Sequence, residues 1–403
     1  MTGPDIADYA LLSDCLSAAL VRGDGTLEWY CSPRFDSPSI FARLLDPDAG
    51  HWSIHPTGST EYERRYLNDT LVLQTTFRTE QGSVSLTDAL AFEMGARGHE
   101  IGERVPHALL RRVEGLDGDV DLTLEFVPRL EYGLTTPFLT QTEAGLVARG
   151  GPVELHLVTD CPLEIDENRA TAQFQVRAGE SVEFALTYHR FVRTGDGIPP
   201  VIDVQQELEN TIEGWRSWVD MHQDYDGPYA ELVRHSSLVL QALTYRPSGG
   251  IVAAATTSIP ETPGGSDNWD YRFVWLRDLS LTLRALWVAS CPTEVEHFFH
   301  WISRAIGARD GGHELVQIMY GVEGERDLTE HTLDHLAGFA GSSPVRIGND
   351  AWNQQQLDVL GEVVDAAYLL RDQLGDEFDD VTARLVTSLA DRAAADWRQP
   401  DSG

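Results

Sequence analysis

The spacing of apolar residues changes partway along the chain, and this change restricts the folds open to it. Between about residues 6 and 193, many short segments alternate apolar and polar side chains and are separated by Gly- and Asp-rich turns. Residues 119–127 show this most clearly, with acids at one parity and apolar side chains at the other. A period of two is typical of half-buried strands, so this region is predicted to form an antiparallel β-sandwich.

Beyond about residue 200 the apolar spacing becomes three to four, which is typical of amphipathic helices. The pattern predicts helices over residues 201–221 and 229–243, and Thr293 with Glu296 offers a capping box for a later one. Strands come first and helices afterwards, which predicts two domains rather than a doubly wound sheet. The predicted boundaries are a β domain at 1–200, a helical linker at 201–226 and a helical domain at 227–403.

The net charge of the chain limits which macromolecules and surfaces it can bind. The 403-residue chain has a formal net charge of −34, and all 30 of its basic residues are arginine. Such a chain repels nucleic acid and anionic membrane surfaces, so neither is expected to bind. A lysine-free, acidic composition follows either from a GC-rich genome or from adaptation to a salt-loaded cytoplasm, and we favour the second. The N-terminus has no signal-peptide pattern and no apolar run spans a bilayer, so we expect a cytoplasmic protein.

Residues 264–278, GGSDNWDYRFVWLRD, hold the densest mixture of aromatic, acidic and basic side chains, just before an apolar helical segment. Aromatic faces stack on the C–H faces of sugar rings, while a guanidinium and a carboxylate bind neighbouring hydroxyls through short, directional hydrogen bonds. The alternative is a plain ion pair beside core aromatics. The segment by itself leaves both interpretations open.

The motif N-W-D-Y-R-x-x-W-x-R-D resembles the substrate-pocket motif of glycoside hydrolase family 15, which includes glucoamylases and bacterial and archaeal trehalases. Agreement over several separated blocks makes the resemblance far more specific than a single motif. It implies an inverting exo-acting α-glucosidase that releases glucose from glucans or splits trehalose. It also implies that the helical domain is part of an (α/α)6 barrel. The supporting blocks lie at residues 6–15, 25–38, 244–261, 324–326, 333–336, 344–349 and 356–362.

Carried over residue by residue, the resemblance makes Arg277 and Asp278 ligands of the terminal glucose hydroxyls. It makes Tyr271 and Trp275 walls of the innermost subsite. Asp267, Val274 and His331 depart from the family pattern, which bears on substrate choice. The expected outer-subsite residues are Trp269, Glu325, Arg326, His331 and Asn349.

The resemblance places neither catalytic carboxyl group within the sequence. Residues 397–403 align with the motif that precedes the family's general acid, and the base would lie further on, so we expect both beyond Gly403 and the chain to be a fragment. Two rivals stay open: a non-catalytic carbohydrate-binding or regulatory relative, and a disaccharide phosphorylase.

The predicted partner is a neutral glucan or disaccharide, and no cofactor is expected. His331 and His335 have the spacing of a zinc helix, but Thr332 stands where the metalloprotease pattern needs glutamate, so no metal is expected either.

Overall fold

The computed structural model describes residues 5–190, 202–222, 225–289, 291–306, 316–374 and 380–401. The chain divides into two compact units. The first, which we call the β unit, comprises Met1–Asp220 and His335–Ser343. The second, the helical unit, comprises Met221–Asp334 and Pro344–Gly403. An antiparallel β domain followed by a helical region is therefore confirmed.

The β unit consists of antiparallel strands joined into one connected set. In chain order they are β1 (Tyr9–Ser13), β2 (Ala18–Arg22), β3 (Thr26–Cys31), β4 (Ser39–Phe41), β5 (His51–Pro56), β6 (Glu61–Tyr66), β7 (Leu73–Arg78), β8 (Gly82–Leu90), β9 (Ala108–Val127), β10 (Phe138–Thr142), β11 (Gly145–Gly150), β12 (Val153–Val158), β13 (Glu164–Asp166), β14 (Arg169–Arg177) and β15 (Ser181–Arg190).

Strand β9 belongs to two sheets. Its first half pairs with β8 and β15, and its second half pairs with β5 and β14. The sheet that contains the first half of β9 runs β6-β7-β8-β9-β15-β12-β11-β10. The sheet that contains its second half runs β1-β2-β3-β5-β9-β14-β13. Both sheets contribute to one hydrophobic core, in which the Trp52 ring on β5 lies 6.3 Å from the Phe184 ring on β15.

The alternation predicted for residues 119–127 is confirmed. Val120, Leu122, Leu124 and Phe126 are buried in the core, while the acids between them point away from it. A strand buries one face of a pleated sheet, so every second side chain must be apolar.

The segment expected to link the domains is helix α1 (Val204–Asp220), which packs within the β unit. Its Trp215 ring lies 4.9 Å from that of Phe92, and its Asn210 Oδ1 accepts a hydrogen bond of 2.8 Å from Gly95 N–H. The amphipathic pattern predicted the helix but could not identify the surface it covers. Residues 201, 223 and 224 lie outside the described residues.

The helical unit contains helices and short two-stranded ladders. Helix α3 packs against α5, and their buried faces include Leu283, Leu286, Val359 and Val363. The elements are α2 (Ala230–Ala242), β16 (Thr244–Tyr245), β17 (Gly250–Ile251), β18 (Val274–Trp275), α3 (Leu276–Val288), α4 (Pro292–Ile306), β19 (Met319–Tyr320), β20 (His331–Thr332), β21 (Arg346–Ile347), α5 (Asp358–Leu374) and α6 (Asp380–Asp396).

The capping box predicted at Thr293 is wrong. Helix α4 begins at Pro292, and Val295 N–H donates to Cys291 O over 3.3 Å, so Thr293 lies inside the first turn. Proline is favoured at the first helical position because its fixed φ suits the helix and its missing N–H has no helical acceptor there.

Among the described residues, no helix combines the length and apolar character needed to cross a membrane.

Candidate active site

The predicted inner site begins where a strand turns directly into a helix. Strand β18 pairs with β19, and Leu276 N–H donates to Ile318 O over 2.9 Å as α3 starts. Trp275 caps the helix in an extended conformation, with φ −92° and ψ 129°. Asp278 therefore lies in the first turn of α3, where the positive end of the helix dipole favours a carboxylate.

Arg277 and Asp278 form an open pair. Arg277 Nε lies 3.6 Å from an Asp278 carboxylate oxygen, and the two side chains are 49% and 47% exposed. An ion pair this exposed contributes at most about 1 kcal/mol to stability. Its donors and acceptors are accessible to a ligand, which is the geometry that hydroxyl recognition requires.

The predicted aromatic walls lie beside this pair. The rings of Tyr271 and Trp275 are 6.0 Å apart and inclined at 42°. Arg277 Cζ lies 5.4 Å from the centroid of the Trp275 ring. The structure thus brings all four predicted inner-site residues into one contiguous group.

The surroundings of Tyr271 are acidic. Burial raises the pKa of its phenol, the charge of Glu261 raises the pKa further, and Arg277 acts in the opposite direction. The hydroxyl therefore stays protonated at neutral pH and can donate a hydrogen bond to a ligand oxygen. Glu261, which sequence reasoning did not assign, belongs to the electrostatic environment of the site.

Trp275 presents a buried donor. Its indole Nε1 is buried and has no hydrogen-bond acceptor among the described residues. Buried polar groups in proteins are nearly always paired, which makes this unpaired indole N–H an exception.

The same motif contains a second, buried pair that sequence reasoning missed. Arg272 holds the Asp270 carboxylate through two bonds, Nε to Oδ1 at 2.9 Å and Nη2 to Oδ2 at 2.7 Å. The side chains are only 2% and 0% exposed. Both residues lie in the quoted motif, but spacing alone does not distinguish a buried pair from a solvated one. This fork fixes the turn that carries Tyr271.

Two motif blocks distant in sequence are joined around Asp270. Gly348 N–H donates to its carboxylate over 3.2 Å, and Asn349 Nδ2 donates to its backbone carbonyl over 3.1 Å. Asn268 Nδ2 also donates to Pro344 O over 3.2 Å. Residues 344–349 are therefore hydrogen-bonded to residues 268–270 and support the aromatic motif.

Asn349, predicted to line an outer subsite, is a buried structural residue. It is 3% exposed, and its side-chain oxygen accepts a hydrogen bond from Ala351 N–H over 3.0 Å while its nitrogen binds Asp270 O. Both polar atoms are used by the backbone, so the structure does not present this amide to a ligand.

The other predicted outer residues lie in different surroundings. Trp269 is partly exposed, with Arg346 Cζ 4.5 Å from its ring. Glu325 accepts a hydrogen bond from Glu323 N–H over 3.0 Å. Arg326 Cζ lies 5.5 Å from the Tyr320 ring.

His331 is exposed on β20. Residues 331–335 form a strand and a turn, so His331 and His335 do not share a helix face, as the zinc-helix pattern would require.

Two family descriptions match successive parts of the chain. Residues 2–188 match the trehalase-like N-terminal family, and residues 227–403 match glycosyl hydrolases family 15. Proteins named trehalase from Mycolicibacterium smegmatis and Mycobacterium tuberculosis are each 36% identical over 99% of this chain. Trehalase 1 of Sulfolobus acidocaldarius is 31% identical over 96% of it. The chain spans 62%, 61% and 64% of the lengths of these relatives.

Among solved structures, a putative kojibiose phosphorylase from human microbiome aligns with a TM-score of 0.47 and 9% identity, over 95% of this chain and 67% of that one. The family matches and the trehalase relatives both include the sequence blocks that surround the site. The chain therefore matches glycosyl hydrolases family 15 over residues 227–403 and the trehalase-like N-terminal family over residues 2–188.

Proposed function

We propose that this chain is the sugar-binding part of a glycoside hydrolase that splits trehalose. The observation that carries the proposal is the open Arg277–Asp278 pair at the start of α3, beside the tilted rings of Tyr271 and Trp275. In the proposed complex, Arg277 and Asp278 bind adjacent hydroxyls of one glucose, and the two aromatic side chains border the ring.

The chemistry of these groups suits a neutral, hydroxyl-rich ligand. A guanidinium only donates hydrogen bonds and a carboxylate only accepts them, so together they match both roles of neighbouring hydroxyls.

Trehalose is preferred over a glucan because the similar proteins reported above are named trehalases. The proposed architecture is a β-sandwich for the β unit and part of an (α/α)6 barrel for the helical unit. Inversion requires an acid and a base about 6.5–9.5 Å apart, with water between the base and the sugar. We assign neither role to Asp278, since a carboxylate that holds hydroxyls cannot also protonate the leaving group. The resemblance assigns neither the acid nor the base to a residue of this sequence.

Sugar binding by the 403-residue chain tests the proposal. Trehalose, maltose and soluble starch are titrated against the wild type and Asp278→Asn, following tryptophan fluorescence. We expect trehalose to bind, and we expect the substitution to weaken binding at least 10-fold because a charged hydrogen bond contributes about 1.5–3 kcal/mol.

Equal trehalose binding by both proteins would remove Asp278 from the site, and preferential binding of starch would replace trehalose with a glucan. Glucose release is measured in parallel, and rapid turnover would show that the catalytic groups lie within the chain.

A further inference from the structure

Arg346 covers one face of the Trp269 indole. Its Cζ lies 4.5 Å from the ring centroid, closer than Arg277 lies to Trp275. A planar guanidinium stacks on an aromatic face through cation–π attraction and dispersion. Rotation of the ring about its side-chain torsions would lose this stacking, so the arginine restricts the orientation of the indole.

The same arginine also holds the backbone of the segment that leads into Trp269. Its Nη1 donates to Ser266 O over 2.9 Å and to Asn268 O over 3.2 Å. The backbone of Arg346 is fixed in turn, since its N–H donates to Ser258 Oγ over 2.7 Å and its carbonyl accepts from Thr257 Oγ1 over 2.6 Å. Ring and main chain are thus oriented by one residue.

Glu330 is the counter-ion of this arginine. Its Oε1 lies 2.9 Å from Arg346 Nε, and the two side chains are only 14% and 16% exposed. A charge this far removed from water is stabilised only when it is paired. Glu330 is itself positioned by its N–H, which donates to Asp350 Oδ1 over 3.0 Å.

The exposure of Trp269 differs from that of the residues on either side of it. Its neighbours Asn268 and Asp270 are fully buried, whereas its own ring is partly exposed. The chain therefore anchors both flanking residues and supports the indole from one side, which is how a rigid stacking platform is built. Trp269 also precedes Tyr271 and Trp275, the proposed walls of the inner subsite.

We propose that Arg346, paired with Glu330, is a positioning residue that fixes Trp269 as the platform for the second sugar ring. This inference rests on the proposed function, because it takes the ligand to be a disaccharide with one ring in the inner subsite. It assigns Arg346 and Glu330 no contact with the sugar.

The experiment uses the full chain and two sugars, glucose for the inner subsite alone and trehalose for both. The variants are Arg346→Met, Arg346→Lys and Glu330→Gln. Arg284→Met is the matched control, because Arg284 pairs with Asp365 at the surface with side chains 52% and 40% exposed. The Trp269 contribution to near-ultraviolet circular dichroism is isolated by subtracting the spectrum of Trp269→Phe in each background.

In Arg346→Met we expect the Trp269 band to collapse and trehalose affinity to fall about 5- to 10-fold, as the loss of a stacked cation implies, with glucose affinity unchanged. Arg346→Lys should keep part of the Trp269 band and part of the trehalose affinity, because lysine keeps the positive charge. Neither should be kept in full, because lysine lacks the planar guanidinium. Glu330→Gln should produce a smaller effect with the same pattern, and Arg284→Met no effect.

Two results would overturn the positioning role: an unaltered Trp269 band in Arg346→Met, or equal losses of glucose and trehalose affinity. If the wild type binds neither sugar, the proposed function fails, and the Trp269 band then decides alone whether Arg346 orders the ring. If Arg346→Met does not fold, Glu330→Gln decides by the same criteria.

Discussion

The two units use arginine–aspartate pairs in opposite ways. In the β unit, Arg111 and Asp88 are both fully buried, with Nε 2.8 Å from Oδ1. Arg111 also donates to the carbonyls of Trp52 and Gly25, over 2.8 Å and 2.5 Å. In the helical unit, Arg277 and Asp278 are half exposed and lie 3.6 Å apart.

The contrast shows that burial, more than residue type, separates a structural pair from a pair that is open to a ligand. A buried pair has its hydrogen-bonding capacity satisfied by the protein, as Arg111 does, and removing one partner leaves an uncompensated charge. An exposed pair contributes little to folding and keeps its capacity for a ligand. The helical unit contains both kinds a few residues apart, since Arg272 and Asp270 are buried.

The largest expected effect is on the buried pair of the β unit. Asp88→Asn leaves the Arg111 guanidinium buried without a counter-ion, so we expect the free energy of unfolding of the β unit to fall by about 3–5 kcal/mol. Urea denaturation followed by circular dichroism in the strand region measures it. The control is Glu63→Gln, which removes an exposed partner 3.4 Å from Arg78 and should cost about 1 kcal/mol or less. Similar losses in both variants would contradict the distinction.

The same distinction can be tested between neighbours in the helical unit. Asp270→Asn removes the carboxylate that Arg272 and Gly348 bind, and we expect a loss of about 3 kcal/mol of stability. Asp278→Asn should change stability by about 0.5 kcal/mol or less while weakening sugar binding. Thermal unfolding of both variants, compared with their trehalose titrations, separates the two roles. A stability loss in Asp278→Asn as large as that in Asp270→Asn would make the open pair structural.

Periodicity predicted much of the fold because each element buries one face. Residues 119–127 were predicted as a strand and form the end of β9 (Ala108–Val127), and residues 229–243 contain α2 (Ala230–Ala242). The ladders β16 to β21 have two residues per strand, too few for any period to be detected. Their positions depend on tertiary contacts, such as the pairing of Val274 with Tyr320.

The grouping of Tyr271, Trp275, Arg277 and Asp278 was predictable because the four residues are close in sequence. What the sequence could not supply was the burial of each side chain. Asn349 was expected to line an outer subsite but is buried in the structure, and Arg346 reaches Trp269 only through the folding of distant segments. Contacts of this kind depend on the packed structure and have no local signature.

A smaller effect is expected from the ionisation of one buried carboxyl group in the β unit. Asp14 is fully buried, with Oδ1 accepting hydrogen bonds from Leu16 N–H and Ser17 N–H, and burial raises the pKa of its carboxyl group to about 6. Because the unfolded carboxyl ionises near pH 4, the unfolded state releases its proton first as pH rises. Stability should therefore decline between about pH 4 and pH 6, by up to about 3 kcal/mol in total.

Asp14→Asn should remove this decline, which is measured as the difference between the two proteins in unfolding free energy at pH 4 and pH 7. His51, His107 and His189 have pKa values lowered by burial, so they destabilise the fold as pH falls below about 6.5. They are present in both proteins, and their effect cancels in the comparison. Parallel pH profiles for the two proteins would show that Asp14 does not ionise in this range.

The smallest expected effect concerns the surface, where neither kind of pair decides stability. The net charge of −34 produces self-repulsion among exposed carboxylates, and raising salt from 0.1 M to 1 M shortens the screening length from about 10 Å to about 3 Å. We therefore expect the melting temperature to rise by at least about 5 °C between these KCl concentrations.

Asp88→Asn should melt lower than the wild type and show the same salt slope, because a buried charge is screened little by mobile ions. Differential scanning calorimetry of both proteins gives the two slopes. A flat dependence would favour codon composition over salt adaptation as the origin of the lysine-free sequence, and a steeper slope in the variant would mean that the buried pair is open to ions.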